Sequence, residues 1–170
     1  MSAQVVINSL EFARKGESLR GTIPVADLGR LQDVLYSSEG MIEYTLSGGS
    51  DEQGNPVLDG TIKCMLRLKC QRCFEGLDYL LDLAPRFALV EDEQGFGDLA
   101  EEAESVDLIR AEPELDVLAL VEDEILLSLP MSPLHPLAEC KAGRYLDQTE
   151  AAEPKNPFGA LAALKKQDLK

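Results

Sequence analysis

The sequence predicts an α+β fold in which an antiparallel sheet packs with two or three helices. Two observations lead to this class: strand patterns follow one another along the first half of the chain, and the clearest helical pattern comes only after them. Consecutive strands pair readily as an antiparallel meander, and we expect this meander to close part-way into a barrel. With 170 residues, the chain is long enough to bury a core of its own.

Each strand is predicted from alternating or β-branched residues and from the turn residues that bound it. The predicted strands cover residues 5–12, 18–23, 41–46, 57–70 and 77–90. A turn at Lys15-Gly16 would pair the first two strands, and a glycine-rich loop at 48–55 separates the next two. Pro85 breaks the last strand or moves it to an edge, because proline cannot donate a backbone hydrogen bond. The last three strands form the predicted centre of the sheet.

Helices are predicted where apolar residues recur every three or four positions. Residues 24–36 carry such a stripe, with a proline near the first turn. Residues 115–129 carry a second stripe, which Pro130 ends. In this second helix we expect three acids to face away from the core or to flank the stripe: Glu122, Asp123 and Glu124.

The chain divides into a single α+β domain, residues 1–140, and a C-terminal part, residues 141–170. The C-terminal part begins with a polar, flexible linker, and Asn156-Pro157 then predicts the start of a short helix. Such a short helix is not stable alone in water, so we expect it to dock on this domain or on another molecule. Its candidate contact residues are Phe158, Lys165 and Lys166.

The charge of the chain restricts its partners. The formal net charge is −15, and proteins bind phosphate backbones mainly through lysine and arginine, so we expect no DNA partner and no broad RNA-binding surface. Acids are concentrated over residues 91–124, where Arg110 is the single base. We predict a mobile acidic loop over 91–112, which either aids solubility or attracts a basic protein.

The sequence predicts a cytoplasmic protein. No apolar run is long enough to span a bilayer, and the first residues lack the pattern of a signal peptide. In that reducing compartment cysteines are found as thiols or metal ligands rather than as disulfides.

Four residues suggest a metal site. Cys70 and Cys73 form a Cys-x2-Cys pair, and His135 and Cys140 form a second pair on a proline-rich loop. Two such pairs supply the four ligands of a tetrahedral zinc ion. Two alternatives remain open: the cysteine pair can be a redox dithiol, and a single histidine is often an ordinary surface residue.

The strand that leads to this cysteine pair has two different faces. Its alternation places Cys64 on the core side, where a small buried thiol needs no chemical role. The opposite side carries a row of bases, which we call the basic stripe: Lys63, Arg67, Lys69 and Arg72. The stripe is either a contact surface for RNA or a partner, or an exposed sheet face on which lysines discourage edge pairing.

The chain carries none of the sequence motifs of common catalytic sites. A phosphate-binding Gly-x-x-x-x-Gly-Lys loop, a Gly-x-Ser-x-Gly elbow and a His-Glu-x-x-His helix are all missing from the sequence. The predicted turn after Cys73 also differs from the strand-to-helix junction that activates redox dithiols. We therefore predict that the protein is not an enzyme.

Four segments together resemble one bacterial family. They are Leu-Lys-Cys-Gln-Arg-Cys at 68–73, the helix at 116–130, the segment 135–140, and Lys-Asn-Pro-Phe-Gly-Ala-Leu-Ala-Ala-Leu-Lys at 155–165. In this order they resemble the YceD-like large ribosomal RNA subunit accumulation proteins. Some family members carry more cysteines where this chain has only Cys140 in residues 135–144, so His135 has to replace a thiolate in any metal site here.

The resemblance implies a non-catalytic role in the synthesis, processing or stability of 23S ribosomal RNA. The implied partner is a large-subunit ribosome precursor, bound through its RNA or through a basic ribosomal protein. The alternative, from a different class, is a cytosolic thiol redox protein that uses Cys70 and Cys73.

Overall fold

The computed structural model describes residues 5–91 and 106–141. Within these residues the α-helices are α1, Ser9–Lys15, and α2, Val117–Ser128. Its strands are β1 Val6–Ile7, β2 Ser18–Pro24, β3 Leu35–Ser37, β4 Met41–Ser50, β5 Pro56–Lys69, β6 Gly76–Leu83, β7 Arg86–Val90, β8 Asp107–Arg110 and β9 Leu115–Asp116. The predicted α+β class is confirmed.

The long strand β5 is the centre of the main sheet, and each of its edges pairs with two strands in turn. One edge pairs with β4 and then with β3; the other pairs with β7 and then with β6. The change from β7 to β6 falls at Pro85, whose carbonyl oxygen accepts a 2.8 Å hydrogen bond from the Gly60 N–H. The predicted interruption at Pro85 is therefore confirmed, and the three central strands β4, β5 and β6 are antiparallel neighbours.

The sheet stays open at both ends. Its order is β2-β4-β5-β7-β8, and β8 runs parallel to β7 while the other pairs are antiparallel. A separate two-stranded ribbon joins β1 to β9 and so brings Val6 and Ile7 next to the N-terminus of α2. The partial closure into a barrel that we expected is not found, because the sheet formed by the described residues is not closed.

One face of the sheet forms the core with α1 and α2. Along β5 alternate residues are buried, and Leu58, Leu66 and Leu68 have at most 1% of their surface exposed. Val117 and Ile125 of α2 are fully buried against this face. The other face of β5 is exposed to solvent, so the alternation of the sequence correctly assigned the two sides.

The first predicted strand is mostly a helix instead. Asn8 ends the short β1, and its side-chain oxygen accepts a 3.0 Å hydrogen bond from the Glu11 N–H at the start of α1. Gly16 ends α1 in the left-handed conformation with φ 63°, so the Lys15-Gly16 pair is a helix C-cap rather than a hairpin turn. As a result β2 pairs with β4 and not with the N-terminal segment.

The helix predicted over residues 24–36 is also wrong. The segment forms two short 3-10 turns, Val25–Asp27 and Arg30–Asp33, followed by β3. All four residues of the apolar stripe are nevertheless buried: Val25, Leu28, Leu31 and Leu35. A spacing of three fits 3-10 turns as well as an α-helix, so the pattern identified the buried side without fixing the backbone.

Helix α2 lies within the predicted bounds, but one of its acids is not where we expected it. Asp116 caps the helix through hydrogen bonds from the Leu118 and Ala119 N–H groups. Glu122 is buried rather than exposed, because Arg30 from the second 3-10 turn binds its carboxylate. The partner is 92 residues away in sequence, beyond the reach of a local pattern.

Part of the predicted acidic loop is a strand, since Asp107–Arg110 form β8. Residues 92–105 of that segment lie outside the described residues. The C-terminal part beyond Lys141 also lies outside them, and with it the candidate contacts Phe158, Lys165 and Lys166. Within 5–91 and 106–141, none of the helices has the length and apolar character needed to cross a bilayer.

Candidate metal centre

A tight turn at the end of β5 presents the first two candidate ligands. The Cys70 carbonyl oxygen accepts a 2.8 Å hydrogen bond from the Phe74 N–H, and the Cys70 N–H donates to the Glu75 carbonyl oxygen at 2.9 Å. Phe74 adopts the left-handed conformation with φ 59°, which reverses the chain into β6. This turn joins two strands, as the sequence predicted.

The other two candidate ligands lie on the loop that follows α2. Prolines at 130, 133 and 136 prevent the helix from continuing, and the Pro136 carbonyl oxygen accepts a 3.0 Å hydrogen bond from the Cys140 N–H. The loop is tied to the first turn by a 2.9 Å bond from the Gln71 N–H to the Pro133 carbonyl oxygen. Backbone hydrogen bonds therefore hold the two ligand pairs side by side.

The four side chains converge on one point. The Sγ atoms of Cys70, Cys73 and Cys140 and a ring nitrogen of His135 all lie within 4.8 Å of one another. The distance from Cys73 Sγ to His135 Nδ1 is 3.4 Å. Cys70 and Cys140 are buried and the other two are half-buried. Two ligand pairs that are 62 positions apart in the sequence are thus positioned to hold a single metal ion.

The orientation of His135 suits a metal ligand. Its Nε2 lies 3.0 Å from the Gly76 carbonyl oxygen, an acceptor, so Nε2 carries the proton and donates it to this bond. In the neutral ring, the form that binds metals, Nδ1 then carries the lone pair and lies 3.4 Å from Cys73 Sγ. In metalloproteins the second ring nitrogen of a histidine ligand commonly binds a backbone carbonyl in this way, which fixes both tautomer and ring orientation.

Backbone hydrogen bonds favour the thiolate form of Cys70. Burial raises the pKa of its thiol, but hydrogen bonds from the N–H groups of His135, Cys73 and Arg72 outweigh that effect and lower the pKa to about 5. The N–H of His135 lies 3.5 Å from the sulfur. Backbone donors directed at a sulfur stabilise its negative charge, and the thiolate is the form that binds metals.

Cys64 is separate from this cluster, as predicted. It is 6% exposed on the core side of β5, and burial raises the pKa of its thiol to about 11. The strand alternation that excluded Cys64 from the ligand set is therefore confirmed.

In the folded protein, acids on the neighbouring strand balance part of the positive charge of the basic stripe. Opposite Lys63 on β6 stands Asp82, whose carboxylate lies 3.0 Å from Nζ, and opposite Arg67 stands Asp78, at 3.7 Å from Nε. Met65 lies between the two bases on the same exposed face. Most of the charge of this face is thus balanced by the neighbouring strand.

The remaining two members of the stripe lie close to the cysteine turn. Lys69 is half-buried at the end of β5. Arg72 is half-buried within the turn, and its Nη1 atom is buried without a hydrogen-bond partner among the described residues. The structure therefore does not present the four bases as one continuous exposed row.

Sequence reasoning missed several neighbours of the metal-ligand cluster. The Arg67 guanidinium lies over the ring of Tyr36, with its carbon 5.4 Å from the ring centroid. Lys141 Nζ lies 2.6 Å from Glu75 Oε1. This ion pair joins the end of the loop after α2 to the turn between β5 and β6. Tyr36 comes from a segment predicted as helix, and only an antiparallel pairing between β3 and β5 reveals its place.

A family model described as "Large ribosomal RNA subunit accumulation protein YceD" matches residues 58–165, a stretch that includes all four candidate ligands. The chain belongs to this family. The "Large ribosomal RNA subunit accumulation protein YceD" of Haemophilus influenzae (strain ATCC 51907 / DSM 11121 / KW20 / Rd) is 27% identical over 168 residues, with 96% of each chain covered. No solved structure matches the chain.

Membership in the YceD family confirms the resemblance found from the sequence. The family name assigns a role in accumulation of the large-subunit ribosomal RNA. Neither comparison names a redox activity, and the cysteine pair lies between β5 and β6 rather than at the N-terminus of one of the described helices, where a dithiol would be activated. The redox alternative is not supported.

Proposed function

We propose that this protein is a non-catalytic cytoplasmic factor that supports accumulation of 23S ribosomal RNA during assembly of the large ribosomal subunit. The observation that carries the proposal is the family match, because it covers most of the central strand β5, both ligand pairs and the segment after them. The relative of the same description extends the similarity over nearly the full length of both chains.

The arrangement of the candidate ligands supports a structural metal rather than a catalytic one. Catalytic zinc sites usually use three protein ligands and leave one position open, whereas structural sites use four. Cys70, Cys73, His135 and Cys140 complete a set of four soft ligands. We infer that they hold zinc, which would join the turn after β5 to the loop after α2 and add directly to folding stability.

The separations fit a zinc ion with little rearrangement. Zn–S bonds of about 2.3 Å in a tetrahedron place sulfur ligands about 3.8 Å apart. The ligand atoms here lie within 4.8 Å of one another, and Cys73 Sγ and His135 Nδ1 already lie 3.4 Å apart. The His135 N–H that donates to Cys70 provides the outer-shell hydrogen bond that thiolate ligands need.

We propose that contact with the precursor particle is made near this centre rather than along the whole basic stripe. Lys63 and Arg67 face Asp82 and Asp78, so they have little charge left to attract phosphate. Lys69 and Arg72 lie next to the cysteine turn, where the acids of β6 are not directly opposite. The tail residues Phe158, Lys165 and Lys166 would provide a second contact.

A deletion experiment tests the proposed function. Cells that lack the protein should contain less 23S than 16S ribosomal RNA relative to the parent, and less 50S subunit in sucrose gradients. Plasmid-borne wild-type protein should restore the ratio and should sediment with large-subunit precursors. An unchanged ratio, with no co-sedimentation, would overturn the proposal.

A further inference from the structure

Phe74 combines a costly backbone conformation with an exposed ring. It is the one non-glycine residue with positive φ in the described chain, at 59°, a conformation that glycine adopts without steric cost. Its side chain is 65% exposed, so the ring adds little to the core. Residues held in such conformations cluster at functional sites, which directs attention to what the ring contacts outside this fold.

A second exposed aromatic ring lies beside the same turn. Tyr36 is 46% exposed, and a Cβ atom built on Gly76 would lie 2.8 Å from its Cδ1 atom. Gly76 is two residues after Phe74, so both rings belong to one end of the β5–β6 hairpin. Among the aromatic residues that the structure describes, these two are the exposed ones.

Around these rings, within the described residues, three bases stand against four acids, so the local charge is close to neutral, unlike that of the chain as a whole. Arg67 lies over Tyr36, Lys69 ends β5, and Lys141 approaches the turn through Glu75. The nearby acids are Glu39, Glu75, Asp78 and Glu139. In a chain with net charge −15, this end of the hairpin repels a polyanion far less than the chain does on average.

We propose that Phe74 and Tyr36 form a stacking platform for bases of single-stranded RNA, with Lys69, which faces Gly76 rather than an acid of β6, beside the phosphates. The inference rests on the proposed function and names the RNA contact within it. Unpaired nucleobases stack on aromatic rings without regard to sequence, and basic side chains beside the rings neutralise the phosphate backbone of the RNA. The ligand cluster positions the platform, because Cys73 directly precedes Phe74 and Gly76 binds His135.

The adjoining loop also exposes apolar side chains, which fit a protein partner. Leu134 and Leu137 are 43% and 62% exposed. An RNA partner is favoured because basic side chains lie among the two exposed rings. It is also favoured because Phe74, an aromatic residue, occupies a backbone conformation that suits glycine better. A protein partner on the leucines is the competing outcome of the experiment.

The substitution Phe74→Gly tests the platform without damaging the fold. Glycine relieves the backbone conformation, so the melting temperature and metal content of the full-length protein should not fall. Affinity for a fluorescein-labelled, mixed-sequence, single-stranded RNA, measured by anisotropy at low salt, should fall by about five- to a hundredfold. Phe74→Trp should retain binding. Leu80→Ala, which removes an exposed leucine from the outer face of β6, is the matched control and should leave binding unchanged.

The outcomes separate this inference from the proposed function. If Phe74→Gly binds RNA like wild type and restores 23S ribosomal RNA in deletion cells, the platform is wrong while the proposed function stands. If Phe74→Gly binds RNA normally but Leu134→Ser or Leu137→Ser abolishes particle association, this end of the hairpin docks a protein and the platform is likewise overturned. Loss of RNA binding with an unchanged melting temperature, together with failure to restore 23S ribosomal RNA, supports it.

Discussion

The carboxylate of Glu122 on α2 is bound by Arg30 through both its backbone and its side chain. Oε1 accepts a 2.7 Å hydrogen bond from the Arg30 N–H, and Oε2 accepts a 2.9 Å bond from Nε. The Leu31 N–H also points at Oε1, at 3.3 Å. A single buried acid therefore caps the second 3-10 turn and joins it to the helix.

Replacing Glu122 should destabilise the protein because the N–H groups of Arg30 and Leu31 would lose their acceptor, and Leu31 is fully buried. We expect Glu122→Ala to lower the free energy of unfolding by about 1–3 kcal/mol. Asp123→Ala is the control, since it removes only the exposed acid that binds Arg30 Nη1 and should cost less than about 1 kcal/mol. Urea titration followed by circular dichroism measures both. Equal effects of the two substitutions would contradict the capping role.

Glu124 should make the protein less stable as the pH rises. Burial between α2 and the sheet, with smaller contributions from Asp107 and Asp123, raises the pKa of its carboxyl above 4.5. Above pH 4.5 the unfolded chain ionises this group more readily than the folded one, so stability is lost as the pH rises toward the folded pKa. Glu124→Gln should therefore raise the melting temperature at pH 7, and the gain should vanish below about pH 4.5.

The control for that prediction is Glu114→Gln, which removes the same charge from an exposed position in the same acidic segment. It accounts for the general relief of repulsion in a chain of net charge −15. A gain at pH 7 no larger for Glu124→Gln than for Glu114→Gln would show that the burial of Glu124 has no effect of its own.

Metal removal should loosen the structure. Purified protein should contain close to one equivalent of zinc by elemental analysis, and a chelator should lower its melting temperature. Cys73→Ser should lose the metal and should no longer respond to the chelator. Cys64→Ser is the matched control, because Cys64 lies outside the cluster, and this variant should keep its zinc. Metal-free wild-type protein of unchanged stability would refute the zinc site.

Two adjacent glycines of β4 should respond very differently to alanine. A Cβ atom at Gly48 would lie 2.4 Å from the Phe12 carbonyl oxygen of α1, whereas at Gly49 the nearest atom is 3.9 Å away, on Val57. Gly48→Ala should therefore cost about 1–3 kcal/mol by forcing α1 from the sheet. Gly49→Ala should change stability by less than about 0.5 kcal/mol. Thermal unfolding of both variants tests the close approach of α1 to the sheet.

The sequence predicted best those features that depend on local pattern. Alternation assigned both faces of β5 and separated Cys64 from the ligand set, and Pro85 correctly marked the break between β6 and β7. The four candidate ligands were found because each pair is close in sequence. Their convergence within 4.8 Å was an expectation that only the fold could test.

The features that sequence did not predict depend on partners far along the chain. Asn8 and Gly16 are equally good turn residues and helix caps, and α1 forms because Phe12 and Ala13 pack against the sheet. The acids of β6 reduce the charge of the basic stripe, and they are visible only from the register between β5 and β6. Tyr36 lies at this end of the β5–β6 hairpin because residues 35–37 form strand β3, whereas the apolar spacing predicted a helix there.

The ribbon between β1 and β9 affects the order in which this protein can fold during its synthesis. The Ser9 N–H binds the Glu112 carbonyl oxygen, and the Val117 N–H binds the Val5 carbonyl oxygen. The backbone of β1 therefore meets these partners only after the chain has been translated past residue 117. Domains emerge from the ribosome N-terminus first, so β2 to β7 can pair before β9, the partner of β1, has been translated. The ligand cluster closes later again, because Cys140 leaves the ribosome after every strand that the structure describes.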